Sequence, residues 1–213
     1  MQDYEKEFLD FAIGHDVIRF GQFTLKSGRL SPYFFNAGLF NTGAMLARIG
    51  EYYAAAILDS GIEFDMLYGP AYKGIPLAAA TAIALANNHD RDVPFAFNRK
   101  EAKQHAEGGI IVGAPLEGRV MIIDDVISAG LSIGEAVNVI RGMDARVAGV
   151  VIALDRQERG AGKLAAVKEV EEKFNIQVAN IVSLKTLETY LEQKGGQEEH
   201  LAAIREYRQE YGG

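Results

Sequence analysis

Apolar positions recur along the chain with two different periods. Residues 3–13 place Phe8, Phe11 and Ala12 at helical spacing. Residues 17–40 change character. The stretch FGQFTLKSGRLSPYFFNAGLF is short-period, aromatic and punctuated by glycine, which predicts small strands and turns. Thr42 or Asn41 then offers a cap for a helix running to about residue 59, with Leu46, Ile49, Tyr53 and Ile57 on one face.

Beyond residue 60 the rhythm becomes regular. Short apolar runs at 65–68, 93–97, 120–123, 147–154 and 178–183 alternate with helix-like stretches at 75–88, 133–143, 163–174 and 185–193. Apolar runs without polar alternation, separated by helices, imply parallel strands buried on both faces. Right-handed crossovers turn that pattern into an open, doubly wound parallel sheet, an α/β fold. One more amphipathic helix is expected at 198–211. No internal repeat or low-complexity linker divides the sequence, so residues 1–213 read as a single domain with its α/β core at 60–194.

One segment breaks the rhythm. Residues 98–118, twenty-one in number, contain Gly108, Gly109 and Gly113 and lie between two strands where a helix is due. Connections this long without their own structure are usually binding loops, lids or disordered insertions. The segment opens on Arg99, Lys100, Lys103 and His105, four basic residues in an acidic chain of net charge −7. Such a run reads either as a solvated face or as a functional cluster.

Composition narrows the function classes. Hydrophobic residues make up 48% and charged residues 24%, a soluble globular balance. No apolar run approaches the roughly 18–20 residues of a membrane span, and MQDYEKEFLD is too acidic for a secretory leader. The absence of cysteine excludes disulfides, thiol nucleophiles and thiolate metal sites, and fits a cytoplasmic location. The negative charge disfavours nucleic acid and anionic membranes as partners.

The chemistry concentrates in VMIIDDVISAGLS, residues 120–132. Four apolar strand residues end in Asp124 and Asp125. Val126 and Ile127 lead into the small residues Ser128, Ala129 and Gly130, and Leu131 and Ser132 lead into a helix. Ligands of open α/β sheets bind beyond the carboxyl ends of strands, where amides at a helix N-terminus attract anions. Two carboxylates do not belong in a simple anion cradle. They suit a ligand that also brings hydroxyls or a cation, as a sugar phosphate does. Consecutive strand residues face opposite ways, so the two acids take different jobs. No G-x-x-x-x-G-K-[ST] or G-x-G-x-x-G is present, which removes the commoner nucleotide loops.

IIDDVISAGLS resembles the signature that type I phosphoribosyltransferases use to bind phosphoribosyl pyrophosphate (PRPP). The stretch MLYGPAYKGIPLAAATAIALA resembles their pyrophosphate loop, which implies roles for Tyr72 and Lys73 and a non-proline cis peptide near residues 71–72. FNRKEAKQHAEGG resembles the mobile catalytic loop (98–118) of orotate phosphoribosyltransferases. By that resemblance Arg99, Lys100, Lys103 and His105 reach the diphosphate, across to a neighbouring subunit of a homodimer. TLKSGRLSPYFFNAG resembles the N-terminal α+β hood of the same family, within residues 1–40. There Lys26 reaches PRPP and Phe34–Phe35 line the orotate pocket with Ser128. Taken alone, these two rings fit a core as well as a pocket. In ALDRQERG, Arg156 would then face the orotate carboxylate with its planar fork.

The resemblance spans the whole chain and is greatest for the proteobacterial, pyrimidine-pathway type. It implies transfer of phosphoribosyl from PRPP to orotate, giving orotidine 5′-monophosphate and pyrophosphate. Lys103, His105, Asp124 and Asp125 are the implied catalytic residues. Mg²⁺ is the implied cofactor, carried mainly by PRPP near the two acids rather than by a dedicated protein ligand set. Two positions depart from the family pattern: Ser128 where threonine is usual, and Leu131 where a hydroxyl residue is usual. A purine phosphoribosyltransferase would keep the PRPP loop but change residues 17–40 and Arg156. A PRPP-sensing nucleic-acid regulator would need a basic face that this chain lacks.

Overall fold

The structure is a computed structural model that describes residues 1–25, 27–103, 109–160 and 162–213, with the backbone alone at 100–103 and 109. Helix α1 (Asp3–Gly14) starts at a capping box between Gln2 and Glu5 and buries Phe8, Leu9 and Ala12. Strands β1 (Ile18–Thr24) and β2 (Leu30–Phe35) pair antiparallel as a two-stranded sheet. A 3-10 turn at Ala37–Leu39 leads into α2 (Gly43–Ser60). The Thr42 hydroxyl caps α2 by accepting from the Met45 amide, and Gly61 at φ +66° ends it. Ile49, Tyr53 and Ile57 are buried along α2, the face that the spacing predicts.

The main sheet follows. In chain order it comprises β3 (Met66–Gly69), β4 (Phe95–Lys103), β5 (Gly109–Gly113), β6 (Arg119–Asp124), β7 (Arg146–Asp155) and β8 (Gln177–Ser183). In space the order is β5-β4-β3-β6-β7-β8, parallel throughout except for the antiparallel edge strand β5. The intervening helices are α3 (Gly74–His89), α4 (Leu131–Arg141), α5 (Ala166–Phe174) and α6 (Leu184–Lys194), and α7 (Glu198–Tyr211) completes the chain.

Strand alternation divides the core in two. Leu67, Met121, Ile123 and Val151 face one layer with residues of α1, α2, α3, α6 and α7. Met66, Tyr68, Val120, Ile122, Val150 and Ile152 face the other with α4 and α5. All four residues of β3 and five of the six in β6 are buried, as both-faced coverage requires. From β3 the chain first winds outward through β4 and β5, then returns to lay β6 on the opposite side of β3. The strand order therefore reverses between β3 and β6, and a crevice opens at their carboxyl ends.

Two expectations change. Residues 98–118 carry secondary structure, because β4 continues to Lys103 and β5 returns beside it, with Asn98 opposite Ile111 and Lys103 opposite Gly109. The β-branched run Ile110–Val112 satisfies backbone groups that a bare loop would leave to water. The helix expected from 163 begins three residues later. Ala165 is extended and bridges to Arg159, while the Glu169 carboxylate accepts from the Gly162 amide at 2.6 Å, so 162–165 is held as a turn.

Candidate active site

Strand β6 delivers the two acids into the crevice, and the backbone there is pinned from below. Tyr53 on α2, fully buried, donates its hydroxyl to the Asp124 carbonyl at 2.7 Å. The Asp125 carbonyl accepts from the Ala153 amide at 2.9 Å. Both acids are themselves buried, and their partners differ. The Asp124 carboxylate accepts from the Asp125 amide at 2.9 Å and from the Ser132 hydroxyl at 3.1 Å. Asp125 forms an ion pair with Lys73, Nζ to Oδ2 2.5 Å. Burial, reinforced by the neighbouring Asp125 charge, pushes the Asp124 pKa up to about 6 despite its two donors. Asp124 is thus held inside the β6–α4 unit, whereas Asp125 reaches across to the neighbouring loop.

The loop between the acids and α4 is anchored by buried Ile127 and leaves Ser128 and Ala129 exposed. Val126 is half-buried against the core. Gly130 turns the chain at φ +67°, and a Cβ on it would lie 2.9 Å from Val170 Cγ2. Helix α4 starts at once, so the amides of Leu131, Ser132 and Ile133 have no partner within the helix. Their direction and the helix dipole favour an anion beside Ser128–Ala129. Leu131 is 75% exposed and takes no part in the core.

The second loop, 70–73, leaves β3 and enters α3. Gly69 and Gly74 let it fold tightly, since a Cβ on Gly69 would stand 2.1 Å from the Gly74 carbonyl oxygen. A Cβ on Gly74 would meet Pro70 Cδ at 2.6 Å and the Ile123 carbonyl oxygen at 2.7 Å. The peptide between Ala71 and Tyr72 is cis, as the resemblance implies. The Ala71 amide donates to Asn98 Oδ1 at 2.9 Å, which ties the loop to β4. Tyr72 is exposed and Lys73 projects over the crevice toward Asp125. Arg99 is half-buried on β4. Lys26, His105 and the side chains of Lys100 and Lys103 lie outside the described residues.

The N-terminal sheet treats its two phenylalanines differently. Phe35 packs against the core, whereas Phe34 stacks on Phe23 with ring centroids 5.5 Å apart. Alternation along β2 puts the rings on opposite faces, so they do not form one continuous wall. Arg156, just past β7, is nearly enclosed. Its Nε donates to Glu158 Oε1 at 2.9 Å and to the Tyr33 hydroxyl at 3.3 Å. Sequence reasoning missed Tyr33 and Glu158, together with Arg29, which pairs with Glu158 at 3.5 Å. The Arg-x-Glu spacing within ALDRQERG was the available signal, but their partners lie more than a hundred positions away.

Residues 37–185 match the phosphoribosyl transferase domain family. The chain is 58% identical to the orotate phosphoribosyltransferase of Yersinia enterocolitica and 60% identical to that of Vibrio parahaemolyticus. Both similarities run over 212 residues and cover 100% of each chain. The crystal structure of the Francisella tularensis orotate phosphoribosyltransferase is similar with a TM-score of 0.88 at 44% identity, covering 97% of this chain and 100% of that one.

Proposed function

The chain belongs to the orotate phosphoribosyltransferase family, and from that premise we propose how its residues divide the reaction. The protein transfers the phosphoribosyl group of PRPP to orotate, yielding orotidine 5′-monophosphate and pyrophosphate in pyrimidine biosynthesis. The observation that best supports the division is the 2.5 Å pair between Lys73 and Asp125, which joins the two loops at the switch point. If Mg²⁺, PRPP and purified protein left the ultraviolet absorbance of orotate unchanged, the reading would be lost.

The 5′-phosphate occupies the amides and hydroxyls of 126–132, with Ser128 and Ser132 as side-chain donors. Asp124 and Asp125 accept from the ribose hydroxyls. Tyr72, Lys73 and Lys26 bind the diphosphate, and Arg99, Lys100, Lys103 and His105 close over it from loop 98–118. Orotate lies against the hood at Phe34 and Phe35, beside Ser128, with its carboxylate on Arg156. Given the opposed rings, the ring of one phenylalanine and the backbone of the other supply that contact.

As N1 of orotate approaches C1′, the bond to pyrophosphate breaks, so positive charge grows on the ribose and negative charge on the leaving group. Lys73 and the loop cations stabilise that departure, and exclusion of water protects the oxocarbenium-like ribose. Among the described residues no group of three or more acidic or histidine side chains gathers to cage a metal. The buried acid pair beside a diphosphate site fits Mg²⁺ brought in by the substrate, and the ion, when bound, neutralises part of the diphosphate charge.

Lys103→Ala lowers turnover far more than PRPP affinity, because its interaction belongs to the transition state. Equal losses in single-turnover rate and PRPP binding would contradict that role. The sharing of loop 98–118 between subunits makes the active species a homodimer, and an active monomer by ultracentrifugation under assay conditions would exclude it. A cytoplasmic location agrees with the absence of cysteine, and no described helix is long and apolar enough to cross a membrane.

A further inference from the structure

Where the hood, the loop after β7 and helix α7 meet, a charged cluster is nearly shut off from solvent. Its members are Arg29 and Tyr33 from the hood, Arg156 and Glu158 from the loop, and Tyr207 from α7. The side chains of Arg156, Glu158 and Arg29 are 17%, 13% and 25% exposed. Two guanidinium groups face one carboxylate, so the cluster holds an excess of one positive charge. Burying an unbalanced charge is costly unless a ligand of opposite sign completes it.

The geometry says which groups wait for that ligand. Glu158 Oε1 takes the Nε side of Arg156, with Nε at 2.9 Å and Nη2 at 2.6 Å. Nη2 is buried and, despite that proximity, makes no hydrogen bond. Tyr33, whose ring centroid lies 5.3 Å from Arg156 Cζ, donates its own hydroxyl to Glu158 at 3.3 Å. Arg29 holds the second carboxylate oxygen and also donates to the Arg159 carbonyl at 3.2 Å. Glu158 is thus clamped from two sides while it grips one edge of Arg156. With Nε and Nη2 taken by Glu158, Nη1 on the opposite edge remains for an incoming carboxylate, a charge-assisted contact whose direction that grip fixes.

We propose that Glu158 is a positioning residue that orients Arg156 and thereby sets the preference for a base bearing a carboxylate. The inference rests on the reading of Arg156 as the partner of the orotate carboxylate. Glu158 touches no substrate. It acts by holding the fork in one rotamer, so the incoming carboxylate does not meet the entropy cost of ordering a long side chain.

The test is steady-state kinetics of the full-length protein with Mg²⁺, PRPP and either orotate or uracil, which lacks the carboxylate. Glu158→Ala raises the KM for orotate about tenfold and leaves kcat, the KM for PRPP and the use of uracil within about twofold. Glu158→Gln retains an oxygen that can accept from Nε and stays within about threefold of the parent. In an Arg156→Ala background Glu158→Ala adds less than about twofold, since the residue acts through the missing arginine. A purely structural role would instead lower the thermal midpoint and move both KM values together, which overturns the proposal. Should Glu158→Ala not fold, Glu158→Asp must raise the orotate KM alone by about threefold or more, and a smaller rise is refutation. The reading of Arg156 fails separately, if Arg156→Ala leaves the orotate KM unchanged.

Discussion

The two halves of the crevice are built by different means. The half proposed to bind PRPP consists of two strand–loop–helix units on adjacent parallel strands, each continuous in sequence. There the functional groups are largely backbone amides and strand-end acids, held by the ladder, by Tyr53 and by glycines that admit close approach. The half proposed to bind orotate is a composite. Arg29, Tyr33, Arg156, Glu158 and Tyr207 arrive from three separate segments and are held to one another by side chains. A site made of backbone is rigid because the sheet is rigid, and it tolerates little volume change. A site made of side chains spreads its load, and single losses are smaller but selective for one substrate.

Gly69→Ala strikes hardest at the first kind of construction. Its new Cβ would meet backbone, not a flexible side chain, so stability falls by roughly 3 kcal/mol or more and PRPP binding falls with it. Chemical denaturation and PRPP titration measure both. A loss below about 1 kcal/mol would show that the strand-end loops yield more easily than this comparison holds.

Asp124→Asn sharpens the electrostatic side of the same region. The carboxyl has a raised pKa in the fold, about 6 against an ordinary 3.8, so the native state binds the proton more tightly than the unfolded chain does. The stability this contributes is fully present below pH 3.8 and is lost as pH rises through about 6. The asparagine variant is therefore more stable than the parent at pH 7.5, by about 3 kcal/mol, and the gap closes toward pH 4. Denaturation curves across that window check it, and a gap independent of pH would contradict the assignment.

The smallest effect belongs to the composite side. Tyr207 Oη is buried beside Glu158 without a well-formed hydrogen bond, and burial followed by the Glu158 charge pushes its pKa up to about 12. Tyr207→Phe removes an unsatisfied group and keeps the edge contact with Tyr33, so stability changes by less than about 1 kcal/mol. A larger loss in thermal unfolding would mean that the hydroxyl carries a bond of its own.

The same contrast explains how much was legible beforehand. Strands 120–123 and 178–183 and helix 75–88 announced themselves through period and flanking residues, and each lies within a residue or two of its observed place. The acid pair and the small-residue loop stand together in thirteen residues, so their placement at a helix N-terminus could be read directly. Residues 98–118 were harder. Glycine and charge pointed to a loop, yet the run Ile110–Val112 found an edge beside β4 on which to pair. The start of α5 shifted because Glu169 bonds to Gly162, a local competition that apolar period does not register.

By itself, then, the sequence determined the doubly wound architecture, the two strand-end loops proposed to hold phosphate and the acids beside them, because those depend on contacts within a few turns of the chain. Only the tertiary structure decided that Asp124 stays within its own loop while Asp125 pairs with Lys73, and that Phe34 and Phe35 part company. It alone brought Glu158 to Arg156 under the cover of Tyr33 and Tyr207. The reason is physical. Buried charge is stable only where partners from elsewhere in the chain surround it, and their arrival is a property of the packed core, not of any one segment.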